Sequence, residues 1–156
     1  MRTIFGSGIG LGRMILWARS ALPLTYERDD ERRRIIVTTI GDVSLDDLMA
    51  VVERQASEGT WRYGVLYDSR RVSSVATQAE VRTGLKRVHT LSRTHGRRGP
   101  VAFVTTVPAA FGMVRMYSTL AGQLEHTVEV FRDIGDAERW LGAHTEPAPG
   151  AGGSPQ

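Results

Sequence analysis

Hydrophobic positions along the chain follow two rhythms in turn. Apolar and polar residues alternate from Leu24 to Glu27, and Arg34 to Ile40 is rich in β-branched residues. Such stretches predict strands, the first at a sheet edge. The charged run Arg28 to Arg33 between them reads as a turn, so the pair is expected to form a hairpin ended by Gly41. The period then lengthens. Leu45, Leu48, Met49, Val52 and Ala56 form one helical stripe. Ser44 stands at the N-cap, Asp46 and Asp47 lie in the first turn where negative charge is favoured, and Gly59 supplies the stop.

Val65, Leu66 and Tyr67 are a short continuous apolar run, the mark of a covered strand. Asp68, Ser69, Arg70 and Arg71 are read as a polar turn that breaks it. Thr77 and Glu80 then make a T-x-x-E capping box. A second helix is expected over Gln78 to Thr94, with Val81, Leu85, Val88 and Leu91 inward and Arg82, Lys86, His89 and Arg93 as a stripe on another face. Pro100 to Thr106 reads as a strand, with Val101 to Val104 buried. Thr106 is expected to cap a third helix, Phe111 to Ala121, with Pro108 in its first turn and Gly122 as its stop. Thr127 to Phe131 is the last strand. Asp133 caps a closing helix whose Ala137, Trp140 and Leu141 turn inward. The order β-β-α-β-α-β-α-β-α predicts an α/β fold: a mostly parallel five-stranded sheet with an N-terminal β-hairpin and about four helices.

The length of 156 residues suits one domain, expected over 22–142. With 41% hydrophobic and 24% charged residues the chain belongs with soluble globular proteins. Residues 1–21 read as an N-terminal extension, flexible or a short helix, for which contact with a membrane surface is one role. Its glycines do not make a phosphate loop, because G-x-G-x-x-G from Gly8 would need glycine where Arg13 stands. Arg13 and the glycines also interrupt the apolar stretch and make a poor secretion signal, so a cytoplasmic protein is expected. Residues 143–156, rich in Pro, Gly and Ala, read as a disordered tail.

The distribution of charge says more than its net value of +3. Between Glu80 and Glu125 no acidic residue occurs, while Arg82, Lys86, Arg87, Arg93, Arg97, Arg98 and Arg115 are all basic. One side of the protein is therefore expected to attract an acidic protein partner, an anionic ligand or nucleic acid. Nucleic acid ranks below the others, since no helix-turn-helix, zinc-finger or RNA-binding signature is present and aromatics are few there.

Catalysis is not signalled. The absence of cysteine removes thiol nucleophiles and zinc–thiolate sites. The four histidines show no metal-ligand spacing, and no cofactor motif is present. Ser69, Ser73 and Ser74 lack a G-x-S-x-G elbow. A non-enzymatic protein without metal or cofactor is expected. Ser73, Ser74 and Thr77 fall at the carboxyl end of a strand and near a helix N-terminus, where α/β folds hold ligands and anions are favoured. With Asp68, Ser69, Arg70 and Arg71 before them and Arg82, Lys86 and Arg93 after, they form the candidate partner or ligand surface.

With its elements in this order, the chain from about Leu24 to Leu141 resembles the STAS family, in its SpoIIAA-like branch of anti-sigma factor antagonists. The resemblance is carried by Thr39-Ile40-Gly41-Asp42-Val43-Ser44, Leu66-Tyr67-Asp68-Ser69-Arg70, Val101-Ala102-Phe103-Val104, Arg115-Met116-Tyr117 and Val130-Phe131-Arg132-Asp133 through Trp140-Leu141. It implies a sheet with helices packed on it and a role in binding a regulatory protein partner. In that branch a D-S-S/T-G segment carries a phosphorylated hydroxyl. Here the matching residues are Ser74-Val75-Ala76-Thr77-Gln78, so no phosphorylation site is carried over. CRAL-TRIO-type lipid-binding domains share the general architecture, and a small anionic or lipid-like ligand is the second reading.

Overall fold

In the computed structural model, residues 23–150 are described. The expectations for residues 1–21 and for the end of the tail beyond 150 lie outside them. The elements come in the order expected: β1 (Leu24–Asp29), β2 (Arg34–Gly41), α1 (Leu45–Ser57), β3 (Gly64–Val72), α2 (Gln78–His95), β4 (Val101–Val104), α3 (Pro108–Gln123), β5 (Val128–Phe131) and α4 (Ile134–His144). They form one five-stranded sheet of order β1-β2-β3-β4-β5. β1 pairs antiparallel with β2, and every later neighbour is parallel.

That order explains the layering. Each parallel connection steps one strand in the same direction, and crossovers of one hand then put every connecting helix on the same face. Val65 and Tyr67 of β3, Val101 of β4 and Val128 of β5 meet Val51 of α1, Leu85 of α2 and Ala121 of α3 on that face. The alternate residues Leu66, Ala102 and Val104 point to the other side, where Ala137 and Leu141 of α4 cover them. A third cluster, Met49, Val52, Trp61 and Val88, joins α1 to α2.

Three local expectations are corrected. Asp68 to Arg71 is strand and not turn: β2 pairs with β3 as far as Gly41↔Val72. Thr38 to Ile40 spans Asp68 to Arg71, so β3 carries one extra residue, a bulge. Thr106 does not cap α3. The N-cap is Val107, without a side-chain cap bond, because Pro108 already occupies the first turn. Gly122 lies inside α3, and the left-handed residue beyond its end is Glu125, at φ 60°.

The remaining caps are as expected. Ser44 and Asp47 form a reciprocal capping box on α1, Thr77 and Glu80 form one on α2, and the Asp133 side chain caps α4. Gly59, at φ 72°, follows the C-cap of α1.

Candidate functional site

Most of the polar groups expected to meet a partner already hold hydrogen bonds within the fold. The guanidinium of Arg70 grips Asp68 at 2.8 and 2.7 Å and thereby holds that carboxyl below its ordinary range. The Thr39 hydroxyl donates to Ser69 Oγ at 3.0 Å, at the bulge. Ser73 donates to Asp42, and Ser74 Oγ accepts from the Val43 N–H. Thr77 exchanges bonds with Glu80, whose carboxyl is lowered by the Thr77 backbone N–H and then by its hydroxyl. Arg71 stays exposed. Arg82, Lys86 and Arg93 are exposed on the outer face of α2, while Arg87 pairs with Glu53 and Asp46. His89 leaves the basic stripe: it is half-buried and meets the ring of His126 edge-on.

The concavity near these residues lies beneath α2, between the sheet and the three crossover helices. It has a volume of about 150 Å³. Met49 and Val52 of α1, Val81 and Val88 of α2, Phe103 of β4 and Met113 of α3 line it. These residues fall on inward faces because their elements are amphipathic, and the sheet and helices stand apart enough to leave a gap. Tyr67 and Phe103 stack at 4.6 Å and make one wall flat. Gly84 lets α2 approach α1, since a Cβ there would lie 3.1 Å from Leu45 Cδ1. Ser69, Ser74 and Glu80 reach the pocket at the carboxyl ends of the strands. Asp68, Arg70, Arg71, Ser73, Thr77, Arg82, Lys86 and Arg93 are not part of its wall.

At the amino end of β4 the pocket meets a charge. Arg98 lines it and is only 6% exposed. Its Nε and Nη2 both donate to one neutral atom, Gln55 Oε1, at 3.3 and 3.0 Å. Gln55 is itself fully buried, and its amide nitrogen donates to the Thr60 and Tyr63 carbonyls at 3.0 and 3.4 Å. That pairing fixes the carbonyl oxygen of the side chain toward Arg98. The guanidinium carbon lies over the Trp61 ring, 5.4 Å from its centroid, within cation–π range. Among the described residues no carboxylate pairs with Arg98. Burying an ion costs several kcal/mol, roughly, unless charge and hydrogen bonds offset it, and here a neutral amide and a ring do so only in part.

Histidines border this cluster. His126 is buried, its Nε2 has no hydrogen-bond partner among the described residues, and Arg98, His89 and Arg97 are near. Burial first, and then the neighbouring Arg98, His89 and Arg97, push its pKa down from 6.5. The unfolded chain therefore takes up this proton at a higher pH than the folded one, and acid favours unfolding. This contribution to stability is complete above about pH 6.5 and is lost as pH falls toward the folded value. The depressed carboxylates act lower, below their ordinary values of 3.8 and 4.5. The urea midpoint is thus expected to drop between about pH 7.5 and about pH 5.5, and His126→Gln to flatten that slope. Equal slopes in the two proteins would refute the assignment.

Gln55, Trp61 and Arg98 do not stand out in sequence. Gln55 carries a faint signal, since it falls seven residues after Leu48 on the inward stripe of α1. Arg98 carries none, because it sits in a basic loop and nothing local says that it turns inward.

No family model matches the chain, and no curated protein does. Among solved structures it is similar to an uncharacterised protein of the DUF3478 family with a SpoIIAA-like fold, from Shewanella loihica PV-4. Identity is 17%, the match covers 76% of this chain and 91% of that one, and the TM-score is 0.49.

Proposed function

We propose that the chain is a non-enzymatic regulatory module that binds a small apolar ligand beneath α2. The observation that carries this reading is the pocket of about 150 Å³ walled by methionine, valine and aromatic side chains. Apolar concavities with a few placed polar groups are the usual form of a ligand site. Binding is favoured over turnover because the polar groups at the rim already hold hydrogen bonds to Thr39, Val43 and Thr77. Neither a histidine nor a pair of carboxylates is among the residues lining the wall, and among the described residues no cluster of three or more His, Asp or Glu could hold a metal ion.

Titration of the full chain with benzyl alcohol, followed by backbone amide shifts, tests the reading. Saturable shifts are expected in α2, β3 and β4, and Val114→Trp, which fills the pocket wall, is expected to abolish them. Shifts that are diffuse or unaffected by Val114→Trp would refute it.

A second reading is favoured by the placement of α2. The helix that roofs the pocket carries Arg82, Lys86 and Arg93 on its outer face, free of ion pairs among the described residues. That face would suit an acidic protein partner, so that one helix would connect ligand and partner. Reversing charge at Arg82 and Lys86 is expected to leave the titration unchanged and to release a salt-sensitive partner.

A further inference from the structure

The apolar pocket ends on a buried cation that has no buried anion. Resting on the ligand-binding reading above, we propose that the ligand is a monocarboxylate that enters acid end first and places its carboxylate on Arg98.

Arg98 can make five N–H bonds. Two are used, both on the single oxygen of Gln55. Nη1 makes no hydrogen bond among the described residues and is not one of the fully buried unpartnered atoms, so the Nη1–Nη2 edge of the fork is open to a second acceptor. A carboxylate matches that edge with two parallel hydrogen bonds. Gln55 cannot substitute for it, because its nitrogen is committed to Thr60 and Tyr63. The guanidinium carbon lies over the Trp61 ring, 5.4 Å from its centroid.

Charge fixes both the number and the direction. Arg98 and Glu80 are the two ionic side chains in the pocket wall. Arg98 stands at the amino end of β4, and Glu80 stands at the rim, in the first turn of α2. One internal positive charge neutralises one negative charge. A phosphate monoester would bring close to two and leave the excess among Val52, Val88 and Val101, where it is costly. Glu80 disfavours an acid group left at the rim and so favours the orientation with the acid inside. The cavity of about 150 Å³ suits a body of one ring or a short branched or straight chain.

The test is calorimetric titration of the full chain with matched pairs: phenylacetate against phenylacetamide, and hexanoate against hexanamide, with phenyl phosphate as a third head group. Each acid is expected to bind about tenfold or more tightly than its amide. Arg98→Met is expected to bring the acid down to the affinity of the amide and to leave the amide unchanged. Should Arg98→Met not fold, the Arg98 Nε–H resonance of the natural protein gives the answer, shifting with the acid and not with the amide. Acid and amide binding alike, both lost in Val114→Trp, would overturn the role of Arg98 and leave the pocket standing. Phenyl phosphate binding as tightly as phenylacetate would overturn the choice of head group. Binding by none of the probes would overturn the pocket together with it.

Discussion

Replacing Gln55 by leucine is expected to cost about 3–5 kcal/mol of folding stability, a fall in Tm of roughly 10–20 °C. Leucine fills the space, so the loss is not one of volume. It removes the oxygen that accepts both Arg98 bonds, and it strips the Thr60 and Tyr63 carbonyls of a donor. A buried guanidinium without an acceptor costs far more than the hydrogen bond itself contributes. The cycle is closed by Arg98→Met, which keeps the apolar stem and removes the charge. On the Gln55→Leu background it is expected to restore most of the loss, since an apolar pair of similar volume is often no less stable than a buried polar one. Urea unfolding of the four proteins measures the coupling. If the two losses simply add, Gln55 and Arg98 do not act as a pair.

Gly99→Ala is expected to be the most damaging small-to-small change, at about 3 kcal/mol or more. Its Cβ would fall 2.5 Å from the Arg62 carbonyl oxygen and against that of Tyr63, and neither is a side chain that can swing aside. The Gly99 N–H is held to the Trp61 carbonyl at 3.0 Å, which brings the two backbones together. Arg98 precedes it directly in the chain, so the variant is expected to lose affinity for carboxylates as well as stability. Gly112→Ala is the control. It stands in α3 with nothing within 4 Å of its Cβ, and alanine there is expected to stabilise by about 0.5–1 kcal/mol. Thermal melting of the two variants decides: a Gly99→Ala protein as stable as the natural one would show that the backbones can part.

The architecture was legible because its signals are local. The run Val65-Leu66-Tyr67 announces a covered strand, and Ser44…Asp47 and Thr77…Glu80 announce helix starts within four residues of sequence. The error at Asp68 to Arg71 has the opposite origin. Those residues have poor strand character and are strand because β2 offers partners to the full length of β3. The site was half legible. Its rim, at the strand ends, follows from topology. Its walls follow from the inward stripes of α1 and α2. The meeting of Gln55 with Arg98 joins residues 43 positions apart, and local pattern does not report such a pair. Of the hydroxyls at the rim, Thr77 is occupied with a cap bond, while Ser69, Ser73 and Ser74 are bonded to Thr39, Asp42 and the Val43 N–H, about 30 positions away in sequence.

The strand order also sets an order in time. Because β2 to β5 lie side by side as they follow one another in the chain, each strand leaving the ribosome finds its parallel neighbour already made, and each connecting helix closes over a finished pair. The other side of the sheet has no such provision. Leu66, Ala102 and Val104 wait for Ala137 and Leu141, which arrive in the 11 residues of α4, after every strand has been synthesised. Until then the growing protein carries an uncovered greasy underside, and a chain halted before Ile134 would keep it for good as a surface for clumping or for chaperones.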